Sequence, residues 1–294
     1  MRRIHADLLL VFAAAIWGFA FLFQKSAMTH MGPLLFVAAR GLVAALALLP
    51  LAMIEMRRDA ATAPGWGAVM VAAVPAGLAF LVGAVLQQWG LVTATVTNTG
   101  FLTALYVVAT PFIAWGLNGH RPAQLVWLAV MLSFGGTWLL GGGTISAFSA
   151  GDGLVALSAI FWALHVVLVG RAAHLGRPVA FTTLQFVVVG LLGAIGAMLL
   201  EPVSLDALAR GWVEIAFVAL LSSALTFTIF TIALRYTGPS EATIIVSTET
   251  LFAAFGAWLI LGERLPAIGW VGAALILAAT LTVQLAPFRA KSRT

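Results

Sequence analysis

The sequence predicts an all-α integral membrane protein with ten transmembrane helices in two inverted five-helix repeats. Three observations predict it. The 294-residue chain is 62% hydrophobic and only 9% charged, with a mean hydropathy of +1.09, whereas a water-soluble domain carries about a quarter charged residues. Its apolar runs recur from Leu8 to Leu285, at lengths near the roughly 20 residues that cross a hydrocarbon core about 30 Å thick. The chain also aligns with itself, half on half.

The polar breaks place the spans at about 7–26, 34–54, 66–89, 95–117, 124–141, 152–171, 179–200, 212–235, 240–261 and 267–286. The first follows "MRR" and runs through Trp17 and Phe23 without a small-residue cleavage signature, so it reads as a span rather than a signal peptide. Pro75 and Pro111 fall inside the third and fourth spans, where each removes a backbone hydrogen bond, and they are candidate hinges or static kinks. The fourth span opens "TATVTNTGFLTALY", unusually rich in hydroxyls and an amide. The seventh carries "GLLGAIGA" from Gly190, small residues that let helices approach closely. Connectors such as "EMRRDAATAPG", "NGHRPA" and "GERLP" leave no room for a soluble catalytic or nucleotide-binding domain. The glycine-rich stretch "GGGTISAFSAGDG" has no Walker lysine and joins two hydrophobic spans, so it reads as a linker.

With ten spans both termini lie on one side of the bilayer. That side collects Arg2, Arg3, Arg57, Arg58, Arg121, Arg171, Arg177, Arg235, Arg289, Lys291 and Arg293, against Lys25, Arg210 and Arg264 on the other. Basic loops resist translocation, which puts both ends in the cytoplasm. The formal net charge of +5 therefore reports topology and implies no nucleic-acid partner. The chain has no cysteine, its five histidines are scattered, and no HExxH or Walker motif occurs, so neither a metal nor a cofactor is expected. The expected partners are a small-molecule substrate and the lipid bilayer, with no obligatory protein partner in evidence.

The repeat rests on paired tryptophans. "DLLLVFAAAIWGFAF" meets "DGLVALSAIFWALHV" with Asp7 on Asp152 and Trp17 on Trp162, a spacing of 145 that also sets Pro33 on Pro178 and Phe36 on Phe181. Further along, "AWGLNGHRPAQLVW" meets "AWLILGERLPAIGW" at a spacing of 143, with Trp115 on Trp258, Gly119 on Gly262 and Trp127 on Trp270. Each repeat, 1–144 and 145–294, holds an odd number of spans, so the second copy must run upside down. Inverted repeats are the architecture of secondary transporters, whose site lies near the midplane.

The acidic start and tryptophan of each copy, the "FVAAR" of the second span and the "AWLILGERLP" closing the ninth carry a resemblance to the ten-helix drug/metabolite transporter superfamily, specifically its EamA-type members. Within it the chain is most similar to bacterial exporters of aromatic amino acids. The resemblance implies a multi-pass carrier of the bacterial inner membrane that is not an enzyme and exports amino acids and analogues. The chain departs from the family with "NGHR" in the first copy and with Gln185 where the second copy would echo Arg40.

Ionisable residues inside spans are costly and face a cavity or a partner. Glu249, in "IIVSTETLFAAFGAW", reads either as a site of ammonium binding or protonation, or as a structural acid paired with Arg40. Arg40 is that candidate charge partner, and otherwise an attractor of a substrate carboxylate or a snorkelling side chain. His165 shares a helix face with Trp162. Trp17 and Trp162 sit mid-span, away from the interfaces where tryptophans gather, and are candidates for stacking on a substrate. The candidate site comprises Trp17, Phe80, Thr97, Asn98, Phe101, Trp162, His165 and Glu249. The competing readings are a sugar-phosphate or nucleotide-sugar exchanger, which would use several cavity cations, and an intramembrane lipid-modifying enzyme, which would use a nucleophile with a base or a metal pair.

Overall fold

The structure is a computed structural model that describes residues 1–58, 64–119, 121–140, 142–143, 149–262, 264 and 267–285. Most of the glycine-rich connector, His120 of "NGHRPA", Glu263 of "GERLP" and the basic residues beyond 285 lie outside the described residues. All regular structure among the described residues is helical, and eight helical stretches are long and apolar enough to cross a membrane. They include α1 (Arg3–Ala27), α2 (Pro33–Arg57), α3 (Trp66–Thr93), α7 (Ala150–Ala172) and α8 (Pro178–Leu200). Two further apolar helices, α6 (Gln124–Leu140) and α14 (Ala267–Leu285), fall where the fifth and tenth spans are expected and are shorter. Leu46, Val71, Met131 and Leu199 stand exposed on the outside of the bundle, as a surface facing lipid rather than water requires.

Local chemistry sets the ends. Pro33 and Pro178 occupy the first helical position of α2 and α8, where a missing N–H costs nothing and the fixed φ favours the helix. Ser149 and Asp152 form a capping box that opens α7. Asp7, aligned with Asp152, lies instead 3.8 Å from Arg3 one turn earlier in α1. Lys25 Nζ donates to the carbonyls of Leu91, Val92 and Ala94 at the end of α3, at 2.6, 3.2 and 3.0 Å, placing a cation on the negative end of that helix.

α2 and α8 form the most extensive helix pair, and they are antiparallel. Glu201, just past the end of α8, accepts the amides of Leu34 and Leu35 in the first turn of α2, both at 2.9 Å. Glu55, near the end of α2, accepts the amides of Val179 and Ala180 in the first turn of α8, at 3.2 and 2.8 Å. Each helix thus caps the other's N-terminus with a carboxylate. Between the two clasps the backbones touch at Gly41 and Gly190, where a Cβ on Gly41 would lie 2.8 Å from the Gly190 nitrogen. α3 packs against α7 through Gly90 and Gly151, and α6 against α14 through Gly136 and Gly272.

Two spans are broken. The expected fourth span divides into α4 (Val96–Thr103) and α5 (Tyr106–Asn118), and the expected ninth into α12 (Pro239–Val246) and α13 (Glu249–Leu261). The breaks share one backbone pattern. Leu105 N donates to Leu102 O, Val107 N to Ala104 O and Val108 N to Leu105 O, while Thr248 N donates to Ile245 O, Thr250 N to Ser247 O and Leu251 N to Thr248 O. These are the three-residue bonds of a 3₁₀ turn, which inside a long helix commonly mark a functional site. The fourth span breaks at Ala104–Leu105, ahead of Pro111 within α5, and α3 continues through Pro75. The eighth span is distorted too. A π-helical stretch over Phe217–Leu225 separates α10 (Trp212–Ala216) from α11 (Thr226–Ala233), after the short α9 (Leu205–Arg210).

Removing a carboxylate cap destabilises a helix by about 1–2 kcal/mol. Glu201→Ala is therefore expected to lower stability against chemical unfolding in detergent by that amount, and Glu201→Gln by less, since its amide oxygen retains one acceptor. Equal stability of Glu201→Ala and the parent would show that the clasp contributes nothing.

Candidate functional site

The two 3₁₀ turns fix where α5 and α13 begin, and the first residues of these helices are Tyr106 and Glu249. In the register that sets Trp115 on Trp258, these two residues also align. They meet in space: the Tyr106 hydroxyl donates to Glu249 Oε1 at 3.0 Å. Glu249 is 4% exposed and lies in the first turn of α13, where the helix dipole favours an acid.

Both residues line a central cavity bounded by α1, α2, α3, α7 and the broken spans. Its empty space is about 600 Å³ including the open mouth, of which about 70 Å³ admits the centre of a water molecule. That is room for several waters. Its polar wall carries Gln24, Arg40, Gln87 and Thr103 alongside Tyr106 and Glu249. Gln87 Nε2 donates to Thr103 Oγ1 at 2.7 Å, which ties α3 to α4.

The apolar wall is a chain of aromatic rings. Trp17 packs on Phe227 at 4.8 Å between centroids, Phe227 on Phe80 at 5.0 Å and Phe80 on Trp162 at 4.9 Å. The last two contacts are edge-to-face, the arrangement ring quadrupoles favour. Trp17 Nε1 donates to the Ser222 carbonyl at 2.9 Å, so the π-helical stretch anchors the ring. Trp162 Nε1 is buried and has no hydrogen-bond partner among the described residues. His165 lies 5.4 Å from Phe80, and its Nε2 pairs with Gln185 Oε1 at 3.1 Å.

Arg40 is 3% exposed. Its Nε and Nη2 donate to Ser223 Oγ at 3.2 and 3.0 Å, and its Nη1 donates to Gln24 Oε1 at 3.4 Å. The guanidinium also sits over the Phe80 ring, 5.4 Å from its centroid. No ion pair joins Arg40 to Glu249: among the described residues neither has an oppositely charged group within 4.0 Å.

Of the residues expected from sequence, the structure brings Trp17, Trp162, His165, Glu249 and Arg40 to the cavity wall, with Phe80 in the ring chain behind it. Thr97 and Phe101 line a separate crevice with Thr137 and Thr250, whose empty space is about 230 Å³ against about 600 Å³ for the central cavity. Asn98 lines neither space and donates its amide to Thr95 Oγ1 at the start of α4. Sequence reasoning missed Tyr106, Gln24, Gln87 and Phe227. For Tyr106 the signal was present, since the repeat register sets it against Glu249. For the others no pattern in the sequence marks the inward face.

The sequence model of the EamA-like transporter family matches residues 4–142 and 149–285. Among curated relatives, an uncharacterized transporter of Archaeoglobus fulgidus is 28% identical, the match covering 97% of this chain and 87% of that protein. The uncharacterized transporter YwfM of Bacillus subtilis is 26% identical over 97% of this chain and 96% of its own length. An S-adenosylmethionine/S-adenosylhomocysteine transporter of Chlamydia trachomatis is 25% identical over 89% of this chain and 83% of its own. A solved crystal structure with 16% identity superposes with a TM-score of 0.75 over 97% of this chain and 98% of the other, a likeness of fold. With the family matched along nearly its whole length, the chain belongs to the EamA-like transporter family.

Proposed function

We propose that the chain is a secondary carrier of the bacterial inner membrane that exports amino acids, aromatic ones included, and related small metabolites by alternating access. In this reading α6 and α14 count as spans, giving ten in two inverted repeats, 1–144 and 145–294, with both termini cytoplasmic. The observation that carries it is the Tyr106–Glu249 pair, held where two interrupted helices begin on the wall of an aromatic cavity. Interrupted helices beside a buried charge are how carriers build a site near the midplane. Glu249 would receive the substrate ammonium, while Trp17, Trp162 and Phe227 would hold an aromatic or aliphatic side chain. Thr97, Asn98 and Phe101 would act beside α13 rather than on the central cavity wall, and Pro75 and Pro111 would shape or flex their helices away from the turns.

A second substrate reading is S-adenosylmethionine, named for the Chlamydia trachomatis relative. That molecule carries the same amino-acid end, an adenine that aromatic rings can stack on and a sulfonium suited to their faces. A phosphate-bearing substrate fits less well. Arg40 is the only lysine or arginine on the described cavity wall, and phosphate sites recruit several donors of that kind.

Counterflow in proteoliposomes tests the proposal. Labelled phenylalanine should exchange saturably against internal amino acids, with S-adenosylmethionine and a nucleotide-sugar panel run alongside. Exchange confined to the nucleotide sugars would overturn the substrate assignment. Glu249→Gln should reduce amino-acid exchange about tenfold or more, the scale of one lost charge-assisted hydrogen bond, and undiminished exchange would remove Glu249 from the mechanism. Tyr106→Phe leaves a buried acid oxygen without its donor, at a cost of about 1–3 kcal/mol in stability. With stability measured for all three variants, the loss in the Glu249→Gln/Tyr106→Phe double variant should fall short of the sum of the two single losses, and strict additivity would mean that the pair is not coupled.

A further inference from the structure

We infer that Arg40 is a carboxylate subsite of the central cavity, so that the substrate class is zwitterionic: the ligand's carboxylate engages the guanidinium while its ammonium engages Glu249. The inference rests on the reading of this cavity as the substrate site, and it adds a second anchor and a rule of selectivity.

A guanidinium carries five N–H donors in a planar fork that matches a carboxylate. Three of its bonds are accounted for, all to the neutral oxygens of Ser223 and Gln24, one of them long at 3.4 Å. Buried charge is stable when it is paired and fully bonded, and costly otherwise. Arg40 is buried, borders open space and has no acid partner among the described residues. Glu249 is in the mirror-image position: buried on the same cavity wall, bonded to a neutral hydroxyl and without a cationic partner. A guanidinium and a carboxyl group able to ionise therefore face one cavity without touching. A zwitterion compensates both at once, whereas a simple amine or a simple acid leaves one of them bare.

The aligned position in the second copy carries no charge. Gln185 occupies the place in α8 that aligns with Arg40 in α2, and it is equally buried. There it pairs with His165 through a neutral contact. An amide thus serves in one half where the other half keeps a guanidinium, and the difference in charge falls on the cavity. Phe80 beneath the guanidinium holds its plane while remaining part of the ring chain that leads through Trp162 and Phe227. The side chain of a doubly anchored α-amino acid would branch from its α-carbon and stack along these rings.

The test is equilibrium binding by titration calorimetry to the purified full-length chain in lipid nanodiscs. The ligands are L-phenylalanine, phenethylamine, which lacks the carboxylate, 3-phenylpropionate, which lacks the amine, and S-adenosylmethionine. On the unaltered protein L-phenylalanine should bind about tenfold or more tighter than either truncated analogue. Arg40→Gln should erase its advantage over phenethylamine while changing phenethylamine binding by less than about twofold. The inference is overturned if phenethylamine matches L-phenylalanine on the unaltered protein, or if Arg40→Gln weakens both equally, as a purely structural role would. The ligand ranking on the unaltered protein decides the matter alone if Arg40→Gln does not fold. Absence of binding by both zwitterions would overturn the cavity's substrate assignment together with this inference, whereas zwitterion binding that ignores the carboxylate would overturn only the latter.

Discussion

Inside a bilayer, a helix end has no water to complete its hydrogen bonds, and the pairing of α2 with α8 answers that constraint. Glu201 closes the first turn of α2 and Glu55 closes the first turn of α8. Because each clasp sits at the far end of the partner helix, the two together fix the antiparallel register. That register sets Gly41 against Gly190, so the backbones approach closely and dispersion replaces the hydrophobic drive that lipid does not supply. Arg40, on α2, hangs from this rib one position before Gly41. This part of the cavity wall inherits its position from the clasps.

The same constraint explains how two spans can break in the membrane. A 3₁₀ turn leaves carbonyls poorly matched, and hydroxyls next to the breaks take them up. Ser247 Oγ bonds Ile244 O, Thr248 Oγ1 bonds Ile245 O, and Thr110 Oγ1 bonds the carbonyl of Tyr106, at 2.6, 2.7 and 2.7 Å. Re-satisfying freed backbone groups with serine and threonine is the general condition for irregular helices at depth. The hydroxyl-rich composition of the fourth and ninth spans therefore serves the backbone first. Thr103 also reaches the cavity wall, where Gln87 donates to it.

Much of the fold was legible because lipid selects for it: long apolar runs separated by short polar breaks can only be helices, and eight expected spans coincide with helices long enough to cross. The lining of the central cavity was legible where chemistry is rare. Glu249, Arg40 and His165 stood out as ionisable groups at depth, and Trp17 and Trp162 as aligned mid-span aromatics. What the sequence hid is facing. A helix that is apolar all round offers no amphipathic stripe to read, so nothing separated Phe227, on the cavity, from Phe101, on the small crevice. The breaks were hidden as well. Neither Ala104–Leu105 nor Ser247–Thr248 contains proline or glycine, and Pro75 and Pro111 drew the eye to places where the helix continues.

The aligned tryptophans add a final constraint. Trp17 Nε1 is bonded to the Ser222 carbonyl, while Trp162 Nε1 is buried without a partner among the described residues. Identical residues at matched positions would make matching bonds if the two halves were locally alike. They do not, and the distortion lies in the π-helical stretch that presents the Ser222 carbonyl. Phe80 and Phe227 join the two tryptophans into one continuous aromatic wall whose two ends are held differently. Close-packed rings cannot shift singly, so a contact that moves one tryptophan of this wall must move its neighbours toward the other.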